Sequence, residues 1–546
     1  MTINYIGFAL ALLAQLGVGR RLINNNGFTA ILASLLVIAG IVSPLAYYQV
    51  SWIKYLLYSW TIVGLLLLIY DGGYKKEKIF ADISFKFITI FCSVFVIFLL
   101  YFRGVNSGNY IYESHDLIYF SWIHDFLRAE YAGPLRVSVA WPNLMAANHL
   151  LPGAVVSALS IFVIQPTMVT SVELKYIFLA LYFASFILTW AKARQVSIAL
   201  ILLLFFCVFA IYGQEIGYSL RISSFLYIII FTELIKAVMF DGRDRDMLFF
   251  ALFLIIAKAP IFFVAATTTI WYLCKAPLDR LRTSTLLAFF LVVINIVSWI
   301  LAPVPPGSAM SISITTPLSF HAMSALNDLQ GWFIPDVAYS TFKTIIPIPV
   351  FTLVLVIYIL MKYYAVYFMA SPLRNLNKDD YIIGSGMSFR DRLIGMDLYV
   401  FASLFAWIFV RHDEGIGHVA HAYILMAFLT IFTLMDSFII RCNKKRFIAL
   451  FVCSIIYGLG TGFLDPFNYV NNETIKSTSA VKLNTLVLPV EVNGFYIPPK
   501  AEYPGISQVK AAMYGLKLDS RITPSPADSQ ISHWLIQEKS NIGGVQ

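Results

Sequence analysis

The sequence predicts an all-α fold, a polytopic transmembrane bundle of about fourteen helices with interfacial helices in a large outer loop. Three observations predict it. Hydrophobic residues make up 59% of the chain and charged residues 13%, with a mean hydropathy of +0.77, which describes a protein mostly dissolved in lipid. Most apolar runs are long enough to cross a hydrocarbon core of about 30 Å, which takes about 20 helical residues. Basic residues gather in short turns between these runs, as cytoplasmic loops do.

In chain order, the runs that can be spans are 5–18, 27–47, 52–70, 84–102, 172–191, 196–212, 222–240, 247–257, 260–274, 283–302, 344–370, 396–410, 419–440 and 447–464. The first reads as a retained span, because its basic residues, Arg20 and Arg21, follow the apolar run instead of preceding it. The positive-inside rule is satisfied with these two on the cytoplasmic side. Lys75, Lys76 and Lys78, Lys192 and Arg194, Arg243 and Arg245, Arg280 and Arg282, the 374–392 loop and the basic run 441–446 join them there. Both termini then lie outside.

Two segments are shaped by this placement. Residues 151–165 cannot be a full span without reversing everything after them, so they read as a helix lying in the outer interface. Residues 247–274 become two short helices turning at Lys258 and Pro260, where proline favours the break. The chain divides into N-terminal transmembrane helices (1–102), an outer loop with interfacial helices and the candidate catalytic residues (103–171), and a transmembrane bundle (172–464) with outer loops 303–343 and 411–418. A small extracytoplasmic tail follows (465–546). The five cysteines fall within spans or beside cytoplasmic turns and read as packing residues. The net charge of +9 belongs to the cytoplasmic loops. No basic stripe with interleaved aromatics is present, so no nucleic-acid partner is expected.

Chemistry is sought first in residues 112–149, which crowd Glu113, Asp116, Asp125 and Glu130 with three histidines and several aromatics between apolar runs. A connection this long is usually functional or disordered. Apolar residues at helical spacing predict an amphipathic helix over 116–128, lying on the bilayer. Asp116 falls in its first turn with Ser114 available as N-cap, and the helix N-terminus favours an ionised carboxylate there, as a general base requires. Helix capping alone is the competing role for Asp116, and Glu113 is the rival base.

A second cluster is the charged hairpin of Arg411, His412, Asp413, Glu414, His418 and His421. All eight histidines of the chain fall in or beside outer segments on this topology. His418 and His421 share a helix face, which is compatible with a divalent metal ion as cofactor, although the spacing is not HExxH. Arg411 at the end of a span suits either phosphate binding or a snorkelling interface role. Lys258 at its turn and Arg221 are the remaining outer cations near the membrane. The P-loop, the dinucleotide-binding glycine fingerprint, the GxSxG elbow and the CxxC pair are all missing, which weighs against a nucleotide-driven pump, a dehydrogenase and an esterase.

This order of features resembles bacterial integral membrane glycosyltransferases of the GT-C fold. The matching residues are Asp116-Leu117-Ile118-Tyr119 and Trp122, then Gly133-Pro134 and Pro142-Asn143, and Lys258 before a short helix; the histidine that often follows the tyrosine is replaced by Phe120. The resemblance covers roughly residues 84–302. It implies a sugar donor linked to polyprenyl phosphate, a glycan or lipid-linked acceptor and a site on the outer face of a bacterial inner membrane. Asp116 or Glu113 would serve as base. Tyr119, Trp122, Arg221, Lys258, Arg411, His412 and His418 would bind substrate. An outward-facing transferase needs a lipid-borne donor in any case, because nucleotide sugars stay in the cytoplasm. Phosphate is a good leaving group, so one base and a few cations suffice where a glycosidase uses paired carboxylates. A polymerase or ligase of lipid-linked O-antigen or capsule repeats is the nearest alternative. A transporter or lipid flippase is the third, and would favour inverted repeats and paired charges within the membrane.

Overall fold

The computed structural model describes residues 2–23, 27–47, 52–72, 85–105, 111–112, 143–163, 168–203, 205, 225–238, 244–258, 261–276, 283–301, 387, 389–409, 448 and 452. It also describes strand residues 481–482, 490–492, 495–497 and 517–518. The helices are α1 (Thr2–Leu22), α2 (Phe28–Tyr47), α3 (Ile53–Gly72), α4 (Phe85–Val105), α5 (Asn143–Leu159), α6 (Met168–Arg194), α7 (Phe225–Lys236), α8 (Asp244–Ala257), α9 (Phe262–Lys275), α10 (Thr283–Leu301) and α11 (Phe389–Phe409). By length and composition three described segments can cross a membrane: Phe28–Ala46, Ile53–Tyr70 and Leu174–Arg194. Four shorter apolar helices accompany them. Of the fourteen expected spans, those at 344–370, 419–440 and 447–464 lie largely or wholly outside the described residues.

Helices α3 and α10 turn large apolar residues outward, unlike the surface helices of a water-soluble protein. Along α10 the outward positions are Leu286, Phe289, Phe290, Val293, Ile294, Val297 and Leu301, while Ser284, Thr285, Asn295 and Ser298 are buried. On α3 the outward residues include Tyr55, Ile62, Val63, Leu66, Ile69 and Tyr70. Contiguous apolar faces of this kind are a liability in water and the normal surface in lipid. The protein is therefore a membrane protein. Cys92 and Cys274 sit on such exposed faces and not in the packed interior expected for the cysteines.

With lipid outside, packing depends on small residues and interior hydrogen bonds. Gly17 of α1 and Gly64 of α3 meet so closely that a Cβ on either would overlap backbone of the other helix, and Gly19 meets Ala30 in the same way. Above these contacts Gln15 Oε1 accepts from Ser34 Oγ at 2.7 Å and from Trp60 Nε1 at 3.2 Å, which joins α1, α2 and α3. Asn295 Nδ2 donates to the Gly40 carbonyl at 2.9 Å and links α10 to α2. Between α9 and α11, Tyr272 donates to the Arg392 carbonyl and Trp271 Nε1 to that of Asp391, both at 2.9 Å.

These pairs set the ends of the helices in common. The start of α2 meets the start of α4 through the Phe28 and Phe87 rings, 6.1 Å apart, and the end of α7 through Thr29 and Glu233. The end of α9 meets the start of α11. Each of these helix ends is next in sequence to one of the basic turns, and together they mark one end of the described bundle.

Helix α5 departs from expectation. Instead of one apolar and one wet face, every residue from Leu150 to Leu159 is buried, with α1, α2, α6, α8 and α10 packed around it. Gly153, Ala154, Ser157 and Ala158 put small residues along one face of it, where neighbouring helices can come close. Just beyond its C-terminus Phe162 lies against Gly7 of α1 and 6.3 Å from the Tyr58 ring of α3, at the end of the bundle away from the basic turns. The helix therefore runs in the same direction as α2.

The break expected at 258–260 is present: α8 ends at Ala257, α9 begins at Phe262, and Ile261 N–H donates to the Lys258 carbonyl at 3.1 Å. The two helices pack against each other, with Thr269 Oγ1 donating to the Ala251 carbonyl at 2.9 Å. Among the described residues five short strands of two or three residues accompany the helices. β1 (Ile111–Tyr112) pairs antiparallel with β2 (Val481–Lys482) in the tail. β3 (Val490–Val492), β4 (Phe495–Ile497) and β5 (Lys517–Leu518) form a small mixed sheet, β3 to β4 antiparallel and β4 to β5 parallel. The β-branched and aromatic residues of 490–497 suit such pairing.

Candidate functional site

Of the site residues read from the sequence, Lys258 is described. It is buried, 5% exposed, just past the last turn of α8. This helix starts beside the basic turn at Arg243 and is 14 residues long. At 1.5 Å per residue Lys258 therefore stands roughly 20 Å from that end. Glu113, Asp116, Tyr119, Trp122, Arg221, Arg411, His412 and His418 lie outside the described residues. β1 ends at Tyr112, so the start of the acidic loop is held next to the C-terminal tail. Among the described residues no three His, Cys, Asp or Glu side chains come together in a group that could hold a metal ion.

The structure adds charges inside the bundle that the reading by loops passed over. Helix α7 is buried at every residue from Phe225 to Lys236 and carries Glu233 and Lys236 one turn apart. Lys236 Nζ stands 3.1 Å from Glu233 Oε2 and 3.3 Å from Oε1, and also donates to Thr29 Oγ1. The Thr29 hydroxyl donates to the same carboxylate at 3.1–3.2 Å. Thr29 lies in the first turn of α2, where the helix dipole favours a neighbouring anion. Tyr182 of α6 is fully buried beside Glu233 and donates its hydroxyl to the Ile229 carbonyl at 3.2 Å.

Other buried ionisable groups are spread through the bundle. Lys175 of α6 is fully buried, with its ammonium 4.2 Å from the centre of the Tyr176 ring, a cation–π distance. Asp246 is buried in the first turns of α8, and Arg392 and Asp397 are buried on α11. Tyr399 of α11 is buried with its ring 4.9 Å from Phe231 of α7. Charges within the apolar runs 172–191, 222–240 and 396–410 were the available signal for Lys175, Glu233, Lys236 and Asp397, since ionisable groups within a membrane are costly and usually functional.

Comparison with protein families, with curated protein sequences and with solved structures finds no match to this chain.

Proposed function

We propose that this chain is an integral membrane glycosyltransferase that takes a sugar from a polyprenyl-phosphate donor and transfers it to an acceptor hydroxyl at the end of the bundle away from the basic turns. The observation that carries this is Lys258. A cation held inside the bundle, far from the basic end, suits a phosphate whose lipid tail lies between helices. The apolar outer faces supply the setting in which such a donor is available.

In this mechanism Asp116, or Glu113 in its place, accepts the proton of the acceptor hydroxyl. The hydroxyl oxygen bonds to the anomeric carbon as the bond from that carbon to the phosphate oxygen breaks, and polyprenyl phosphate departs with the electron pair. Arg411, with Lys258 or Arg221, stabilises the charge on the leaving phosphate. His412, His418, Tyr119 and Trp122 are assigned to donor and acceptor binding.

Arg411 tests the phosphate assignment. If it holds the donor by bidentate hydrogen bonds, Arg411→Lys loses much activity although the charge is kept, and Arg411→Ala loses more. Transfer is measured in reconstituted membranes while a polyprenyl-phosphate-linked sugar is titrated. Full activity with an unchanged donor dependence for Arg411→Lys assigns Arg411 to helix anchoring. Movement of lipid-linked saccharide between leaflets without bond cleavage, in the unaltered protein, replaces the transferase with a transporter.

A further inference from the structure

The charged centre on α7 is closed on itself. An ammonium group has three protons. Those of Lys236 are matched by the two Glu233 carboxylate oxygens and the Thr29 hydroxyl oxygen, and the Thr29 proton returns to the same carboxylate. Among the described residues, a passing ion or a substrate group meets no donor here that is not already engaged, since the Tyr182 hydroxyl beside Glu233 donates to the Ile229 carbonyl. The position of the cluster is as informative as its saturation. Helix α2 packs along α1, α5 and α10 and is joined to α7 at Thr29. We propose that Glu233, Lys236 and Thr29 form a register lock, fixing the α1–α2 hairpin against the fully enclosed helix α7.

The physical case rests on what apolar contacts cannot do. Leucine and isoleucine side chains of α7, which packs on α8, could shift relative to the start of α2 and still be buried, whereas a hydroxyl shared between one carboxylate and one ammonium has a single satisfied position. Specifying register is the best-attested use of a buried polar group. The two charges also act as a unit, because each leaves the other uncompensated when removed alone. The lock is independent of the reaction the protein performs.

The test uses the full chain in detergent micelles, with the native cysteines replaced by serine and a reporter, Leu32→Cys, at a fully buried position of α2. The melting midpoint and the rate of maleimide labelling are read together. Glu233→Gln and Lys236→Met should each lower the midpoint. The double variant should recover most of it, since no lone charge remains, yet should label at least about tenfold faster than the parent because register is no longer fixed. Thr29→Val keeps the ion pair and the side-chain shape, and should raise labelling with little change in midpoint. If the single variants do not accumulate, the double variant and Thr29→Val decide the matter. Parental labelling rates in both would overturn the lock, as would single variants whose midpoints equal that of the parent.

Discussion

Asp116→Asn keeps the shape of the side chain and removes its ability to accept a proton. A folded, membrane-inserted variant with transfer reduced by about 10²–10⁴-fold is expected, the usual worth of general acid–base catalysis. Product formation by purified Asp116→Asn and Glu113→Gln proteins checks it, and near-normal product from the first with loss in the second moves the base to Glu113. At this scale the sequence was legible where a residue's type and its neighbours are sufficient. The turn at Lys258 is marked by the Pro260 that follows, and it is where α8 gives way to α9. Glu233 and Lys236 were harder to recognise, because their partner is a threonine some two hundred positions earlier, on a helix that reads as uniformly apolar. Asn295 is similar: its partner is a glycine carbonyl, which has no side chain to mark it.

Helix α5 makes a prediction about elements. It has 17 residues, hence a length of about 25 Å, and its C-terminal end lies at the Gly7 and Tyr58 end of the bundle. Asn143→Cys and Phe162→Cys should therefore be labelled from opposite sides of the membrane. Sealed vesicles of both orientations, treated with an impermeant maleimide, would show this; labelling of both from one side would return α5 to the interface. Counting basic residues put α5 in the interface, because a full span there would reverse the side of every later loop. Burial on all faces is likewise invisible to periodicity, since a helix enclosed by protein and a helix facing lipid both read as continuous apolar runs. The hairpin of α8 and α9 was within reach for the opposite reason: a charged residue and a proline interrupt the run.

For the whole molecule, the positive-inside reading of the sequence predicts that a cysteine at position 76, 243 or 444 reacts only from the cytoplasmic side, and one at 116 or 412 only from the other. Labelling of position 76 from outside intact cells would remove the basis for an outward-facing site. Overall the membrane setting was legible from composition, and the tail was not. The sequence marks residues 465–546 as a small appendage, but the structure pairs two of them with the strand that opens the acidic loop. That pairing imposes an order in time. Residues 111 and 112 emerge early in synthesis, and their ladder partners emerge only after nearly all the membrane helices have been made. A contact this distant along the chain forms late and slowly. A chain that stops short of residue 481 can complete every helix described here and still leave the first strand of the acidic loop without its mate.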